Sequence, residues 1–295
     1  MIMKTAICAI IKDEHLFLKE WIDWHLGLGF DAIHLFEDKG SQNHEEICAK
    51  YSNVSLRRYE DDEQVRKLLS AQGHSKRQLV LYRWFAETYR GRYNWAAFID
   101  LDEFIMLEDG YTLDKLCNEF SDYPTVYLFW KMKGASGHLE RPQCGVIEAY
   151  TETCPFLEQD VNGWNCKSLV NLRANKGLWS LHHGNGGVCT NLSTSINTPV
   201  YGKAWINHYF TKSWEDWLDR IYKKGGTMKG HRTLAQFFEA NPSMEHLRDE
   251  LIASVADKIP NGTYWLDRKR GLIAGGNVRK IMELNKKHNE DSNSR

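Results

Sequence analysis

The stretch Trp95-Ala96-Ala97-Phe98-Ile99-Asp100-Leu101-Asp102-Glu103-Phe104-Ile105 decides how this chain is read. It predicts an apolar β-strand that ends in two aspartates, with a third acid beside them. Successive side chains of a strand point to opposite faces, so Asp100 and Asp102 share one face while Leu101 turns to the core. Two hard carboxylate oxygens at such a strand end suit Mg²⁺ or Mn²⁺, cations that keep places for water and a substrate's phosphates. A lone Asp-x-Asp is more often a strand end that only meets water. The apolar run before it, and the acids elsewhere in the chain, favour a site.

Outward from that stretch, residues 4–11 form a continuous apolar run that predicts a buried parallel strand. Residues 14–28 predict an amphipathic helix with Leu18, Ile22 and Leu26 on one stripe. Strands are expected at 32–37 and 54–59, and helices at 45–51 and 76–89, the last leading into the Asp100 strand. This β-α alternation predicts a doubly wound, mostly parallel sheet. In such sheets ligands bind beyond the carboxyl ends of the strands. Lys12-Asp13-Glu14, Glu37-Asp38 and Asp100-Leu101-Asp102 each follow a strand directly, so all three should line one edge.

After residue 110 the pattern loosens. A helix is expected at 112–120 and a strand at 125–132, followed by the small-residue loop Gly134-Ala135-Ser136-Gly137-His138. Such a loop permits close approach of backbone to a ligand. Short strands are expected at 167–172 and 178–182, mostly helix from Trp214, and a polar tail near the end. No repeat and no flexible linker is evident, which predicts one domain over 1–285 with a tail at 286–295.

Composition sets the outer bounds. With 295 residues, 42% of them hydrophobic, the chain can hold one large α/β domain or two small ones. Eleven Trp serve either a core or a cleft that stacks on sugar rings or a nucleobase. A net charge of -1 gives no footprint for nucleic acid. The seven cysteines are odd in number and never spaced Cys-x-x-Cys, which argues against zinc and disulfides and for a reducing compartment. The apolar N-terminus meets Lys12-Asp13-Glu14 too early for a signal peptide, and no window approaches a transmembrane span. The expected location is cytoplasmic, with peripheral association at the inner face of a membrane left open.

Four segments carry a resemblance. Ile11-Lys12-Asp13-Glu14, continuing through Glu20-Trp21 and His25 to Gly29, resembles the opening of glycosyltransferase family 92 and its bacterial relatives near family 2. Phe98 to Phe104 resembles the aspartate motif of that group, and Phe129-Trp130 with Gly134 to His138 its glycine-serine loop. Ile206-Asn207-His208-Tyr209 with Lys212-Ser213 resembles its late His-Tyr and Lys-Ser motif. One departure follows: this chain has Lys224-Gly225-Gly226 where relatives carry Arg-Gly, so a phosphate-binding arginine is not carried over.

The resemblance implies a GT-A fold, an α/β nucleotide-binding sandwich with a mostly parallel central sheet and a helical C-terminal part. Residues 1–110 would be its nucleotide-binding half, 111–230 its acceptor and metal half, and 231–285 the helical part. It implies metal-dependent, inverting transfer of a sugar from a nucleoside diphosphate donor, UDP-linked by preference, to a glycan, lipid-linked or polysaccharide acceptor. Mn²⁺ or Mg²⁺ would be held by Asp100, Asp102 and His208, with Asp100 also reaching the ribose and Glu103 supporting the site from behind. His182 and His183 compete with His208 for the metal.

Donor contacts are expected from Lys12, from Glu14, Asp38 and Gln78 on the nucleoside side, from Gly134, Ser136 and His138 beside the sugar or acceptor, and from Lys212 at the diphosphate. Glu14 also suits the positive N-terminus of its helix, while Glu20 and His25 are expected to pack or pair. Glu158 and Asp160 are the candidates for the general base. A haloacid-dehalogenase-type phosphatase is the rival enzyme, but its Gly-Thr or Gly-Val turn is replaced here by Glu103-Phe104. A sugar- or nucleotide-binding protein without turnover is the other rival. A nucleotidyltransferase would need a Gly-rich N-terminal phosphate loop, which Ala9 to Asp13 does not provide.

Overall fold

Strand β1, Thr5–Ile11, is buried at every position, as a strand must be when both faces of its sheet are covered. The computed structural model describes residues 3–39, 44–70, 74–154, 165–174, 177–178, 180, 182–222, 234–255, 264–267 and 272–275. β1 pairs in parallel with β2, Ala32–Glu37, and with β4, Trp95–Phe98, while β2 pairs in parallel with β3, Val54–Arg58. Helices α1, His15–Gly27, α2, His44–Cys48, α3, Glu63–Leu69, and α4, His74–Thr88, alternate with these strands. The expected β-α order of the first hundred residues is therefore present.

The later strands are β5, Glu103–Leu107, β6, Thr125–Lys133, β7, Cys166–Asn171, β8, Gly187–Cys189, and β9, Ala204–Tyr209, with helix α5, Leu113–Glu119, between β5 and β6. Among the described residues they complete one nine-stranded sheet of order β3-β2-β1-β4-β7-β6-β9-β5, with β8 alongside β6. β7 is antiparallel to both β4 and β6, and β5 is antiparallel to β9. The sheet is thus parallel through its first four strands and mixed beyond them.

The chain contains two compact units. The first comprises Met1–Met132 and Glu158–Phe210 and holds the sheet; the second comprises Lys133–Leu157 and Thr211–Arg295. In the second unit lie α6, Val146–Ala149, α7, Trp214–Tyr222, α8, Leu234–Ala240, a 3-10 turn at Pro242–Leu247, and α9, Arg248–Val255. The helical expectation from Trp214 is met by the described residues up to Val255, with 223–233 outside them. After it comes an antiparallel hairpin, β10, Tyr264–Asp267, with β11, Leu272–Gly275. Its Tyr-Trp-Leu and Leu-Ile runs have the aromatic and branched content of strands. The tail at 286–295 lies outside the described residues.

Two local expectations fail for identifiable reasons. The run 95–105 is not one strand: β4 stops at Phe98, and the Glu103 N–H donates to the Asp100 carbonyl at 3.1 Å, closing a turn before β5. Aspartates are poor strand residues and good turn residues, so the pair breaks the ladder. Among the described residues of the run 178–182 the pairing is an isolated bridge, Leu178 to Gly184, and 179 and 181 lie outside the described residues. There Ser180 Oγ accepts both the His182 and His183 N–H groups at 3.1 Å, diverting backbone donors from a strand. Helix α3 was not anticipated, although Asp62 caps it by accepting the Val65 N–H at 3.1 Å.

Helix α1 closes the sheet at β5. Trp21 Nε1 donates to the Glu103 carbonyl and Trp24 Nε1 to the Ile105 carbonyl, each at 2.8 Å. His25 Nδ1–H donates to the Trp21 carbonyl at 2.8 Å, which leaves Nε2 to accept the Ile105 N–H at 3.2 Å. An edge strand's bare backbone groups are satisfied here by side chains. His25 thus packs, as expected. All seven cysteines are free thiols, every one buried except Cys144.

Two buried histidines make the fold acid-sensitive. Burial lowers His25 to about 3, and burial, with the charges of Arg92 and Arg57, lowers His34 to about 4. Both stay neutral in the fold while the unfolded chain takes up their protons near the ordinary value of about 6.5. Stability is therefore whole above that pH and falls as pH drops toward 4 for His34 and toward 3 for His25. Denaturant melts at pH 7 and pH 5 should differ by about 2 kcal/mol for each histidine, and His34→Gln should shrink the difference.

Candidate metal centre

The turn between β4 and β5 carries the acids, and its neighbours hold each one differently. Asp100 is held on both oxygens: Gln78 Nε2 of α4 donates to Oδ1 at 2.9 Å, and Lys167 Nζ of β7 donates to Oδ2 at 2.8 Å. The Asp100 N–H donates in turn to Glu103 Oε2 at 3.0 Å. Glu103 is fully buried, and its other oxygen, Oε1, lies 3.6 Å from Lys167 Nζ with no hydrogen-bond donor in reach among the described residues. Burial pushes the Glu103 carboxyl well up, opposed by the Lys167 charge. Burial works against the charged form of Lys167 too, yet Asp100 and Glu103 outweigh it and its value rises.

Register brings in the histidine. Glu103 pairs directly with His208 across the antiparallel β5–β9 ladder, and the Tyr209 N–H donates to the Asp102 carbonyl at 2.8 Å. His208 Nε2 lies 3.6 Å from Asp102 Oδ1. Ligand atoms of Asp102, Glu103 and His208 all fall within 4.8 Å of one another. The expected trio was Asp100, Asp102 and His208; the geometry groups Glu103 with Asp102 and His208, while Asp100 accepts from Lys167 and Gln78. The face-sharing rule of a strand does not apply to Asp100 and Asp102, because both lie in a turn.

The competing histidines have other partners. His182 Nδ1 meets the Cys166 carbonyl at 2.9 Å, and fully buried His183 sits 3.0 Å from Ser180 Oγ and 3.4 Å from Cys166 Sγ. The half-buried Trp130 ring packs 4.5 Å from His208 and 5.3 Å from His182, centroid to centroid. Neither Lys167 nor Trp130 was anticipated as part of this cluster. Lys167 did leave a signal: a lysine inside a strand expected to be buried needs a carboxylate partner.

At the other strand ends, Lys12 is exposed and Asp13 takes a left-handed backbone, φ 53°. The Glu14 N–H donates to His44 Nε2 at 3.1 Å, and His44 Nδ1 pairs with Glu37 Oε1 at 2.5 Å. Glu37 also receives Arg58 Nε at 2.8 Å. The Glu14 side chain makes no capping bond to α1. Asp38 is 2.8 Å from Arg77 Nη1, so adjacent residues of α4, Arg77 and Gln78, tie together the ends of β2 and β4.

Four expected site residues belong to the second unit. At Gly134 a Cβ would stand 2.4 Å from Asn241 Oδ1 and 3.1 Å from Cys154 Sγ. The room that glycine leaves is therefore filled from within the unit, where Asn241 Oδ1 also accepts the Ala135 N–H at 2.5 Å. Ser136 Oγ accepts the Glu152 N–H at 2.9 Å, and His138 Nε2 donates to the Ala149 carbonyl at 3.1 Å. Lys212 is buried in a left-handed backbone, φ 55°. Next to it, Ser213 caps α7 by accepting the Asp216 N–H at 3.1 Å. Glu158 and Asp160 lie outside the described residues.

Comparison with known proteins agrees with the motifs. The family model described as Glycosyltransferase family 92 matches residues 6–249. A glycosyltransferase family 92 protein of Oryza sativa subsp. japonica is 24% identical over 222 residues, 73% of this chain and 35% of the relative. One from Ricinus communis is 23% identical over 233 residues, 76% of this chain and 38% of the relative. The chain thus spans little more than a third of the length of these curated relatives. Among solved structures, the apo form of mouse xyloside xylosyltransferase 1 aligns over 59% of this chain and 68% of its own, with 13% identity and a TM-score of 0.30.

The close approach at Gly134 has a measurable consequence. Asn241 cannot swing aside freely, because its Nδ2 donates to the Phe237 carbonyl at 2.7 Å. Gly134→Ala should cost about 1–3 kcal/mol of stability, read as a lower denaturant midpoint with an unchanged slope. Asn241→Ala in the same background should recover part of the loss.

Proposed function

The chain belongs to glycosyltransferase family 92, and from that premise we propose that it transfers a sugar from a nucleoside diphosphate donor to a glycan or polysaccharide acceptor with the help of a divalent cation. UDP is the proposed nucleotide and inversion the proposed stereochemical course, as the motif resemblance implies. The observation that carries the metal reading is the convergence of Asp102, Glu103 and His208 within 4.8 Å.

The donor set fits the ion. Two carboxylates and an imidazole suit Mn²⁺, and Mg²⁺ less closely. A fully buried carboxylate oxygen that accepts no hydrogen bond, Glu103 Oε1, is what a cation ligand looks like before loading. Asp102, Glu103 and His208 would hold the ion. When bound, it supplies a Lewis acid for the charge that gathers on the leaving diphosphate.

The protein's own groups do the rest. Asp100, oriented by Gln78 and Lys167, is the proposed partner of a ribose hydroxyl. Asp38 and Glu14 are the proposed partners of the nucleoside. Lys12 and Lys212 are the proposed point charges for the diphosphate, and Gly134, Ser136 and His138 stay the proposed neighbours of the donor sugar. An inverting displacement needs a carboxylate to take the acceptor's proton, a role proposed for Glu158 or Asp160. No described helix is long and apolar enough to cross a membrane. Action in the cytoplasm, with peripheral contact at the membrane surface, stays part of the proposal.

Asp102→Ala and His208→Ala should each lower Mn²⁺-dependent hydrolysis of a UDP-sugar by roughly a hundredfold or more, with melting temperature nearly unchanged. Full activity of Asp102→Ala at saturating donor and metal would remove the basis of this reading. Donor binding without turnover in the parent protein, across a panel of sugar nucleotides, would favour the binding protein instead.

A further inference from the structure

β7 begins Cys166-Lys167-Ser168 and is buried at every one of its positions, so a lysine there stands where an apolar residue is the rule. Its side chain is 2% exposed. Its ammonium reaches Asp100 Oδ2 at 2.8 Å and Glu103 Oε1 at 3.6 Å, and stands 6.0 Å from the centroid of the Trp130 ring. None of the sequence motifs includes it.

The position of that ammonium matters because of which oxygen it approaches. Glu103 Oε2 is committed to the Asp100 N–H, so Oε1 is the atom left for any other cation. A divalent ion gathered by Asp102 and His208 would compete with Lys167 for it. Both candidates are positive, and like charges a few ångströms apart in a poorly solvated site repel strongly.

We propose that Lys167 is a positioning residue of the metal centre, which fastens Asp100 in place and shares Glu103 Oε1 with the divalent cation, so that it restrains cation affinity. This rests on the reading of Asp102, Glu103 and His208 as the ion's ligands. Two effects follow from one side chain. The pairing fixes the Asp100–Glu103 turn before any ion arrives, so the ligands are set in advance. The opposing charge keeps the ion from being held too tightly, which suits a site that must give up a metal-bound diphosphate in every turnover. A lysine with a purely structural role would do the first and not the second.

The test uses the full chain and Mn²⁺ alone, by isothermal titration and by thermal melting in mildly alkaline buffer. Lys167→Met should melt several degrees lower than the parent without metal, yet bind Mn²⁺ at least about tenfold more tightly and gain more in melting temperature from it. Lys167→Arg, which keeps the charge, should stay within about threefold of the parent. Unchanged or weaker Mn²⁺ binding by Lys167→Met overturns the proposal. If Lys167→Met does not fold, the paired variant Lys167→Met/Asp100→Asn, which leaves the net charge of the cluster unaltered, serves instead. Its Mn²⁺-induced rise in melting temperature should still exceed that of the parent, and an equal or smaller rise overturns the proposal. Should the parent bind no Mn²⁺ at all, the metal reading of the site falls by itself. The proposal, which rests on that reading, then falls with it, whereas Mn²⁺ binding by the parent that Lys167→Met leaves unchanged or weakens ends the proposal alone.

Discussion

Three side chains of α1 grip the backbone of β5, and the candidate site depends on that grip. Trp21, Trp24 and His25 satisfy the Glu103 and Ile105 backbone groups from the outer side of the strand, while β9 satisfies the inner side. Each such bond contributes only about 1 kcal/mol net, but an unmade one on a buried group costs more. The register of β5 is therefore fixed from both flanks, and with it the pairing of Glu103 with His208. A one-residue slip would turn Glu103 to the opposite face.

This arrangement explains why the sequence resemblance falls where it does. The stretch around Glu20, Trp21 and His25 follows Lys12 and Glu14 in the motif, with Glu20 and His25 expected to pack or pair. In the fold, Trp21 and His25 support the acidic turn from behind and leave ligand contact to others. The small-residue loop behaves likewise: Gly134 admits Asn241, and Ser136 and His138 bond to nearby backbone. In both places, motif residues make bonds within the scaffold.

Much of the fold was legible because its signals are local. The buried run of β1, the stripe of α1 and the strand-helix alternation through α4 need only neighbours in sequence. What was not legible depends on partners far along the chain. The break after Phe98 was hidden because an apolar run of that length reads as one strand, and only the separate places of β4 and β5 in the sheet reveal the turn. The bonds of Asp100 to Gln78 and Lys167, and the grouping of Glu103 with Asp102 and His208, were out of view for the same reason. Lys167 is 67 positions from Asp100, and no periodicity reports a contact at that range. Asp102 was singled out as a carboxylate in an Asp-x-Asp pair, and His208 by its Tyr209 and Lys212 context. Their meeting is a matter of strand register, which the ladder of β5 and β9 supplies.

The unequal exposure of the thiols gives the chain a built-in handle. Burial raises Cys8 well above the ordinary range and Cys48 to about 11, and Cys117, Cys154, Cys166 and Cys189 are likewise enclosed. Alkylating reagents act on the thiolate, so all six are shielded by access, and Cys8, Cys48, Cys117, Cys166 and Cys189 by ionisation as well. Cys144 alone faces solvent, and a fluorophore or spin label attached there would mark the second unit at a single point, without any cysteine having to be engineered away.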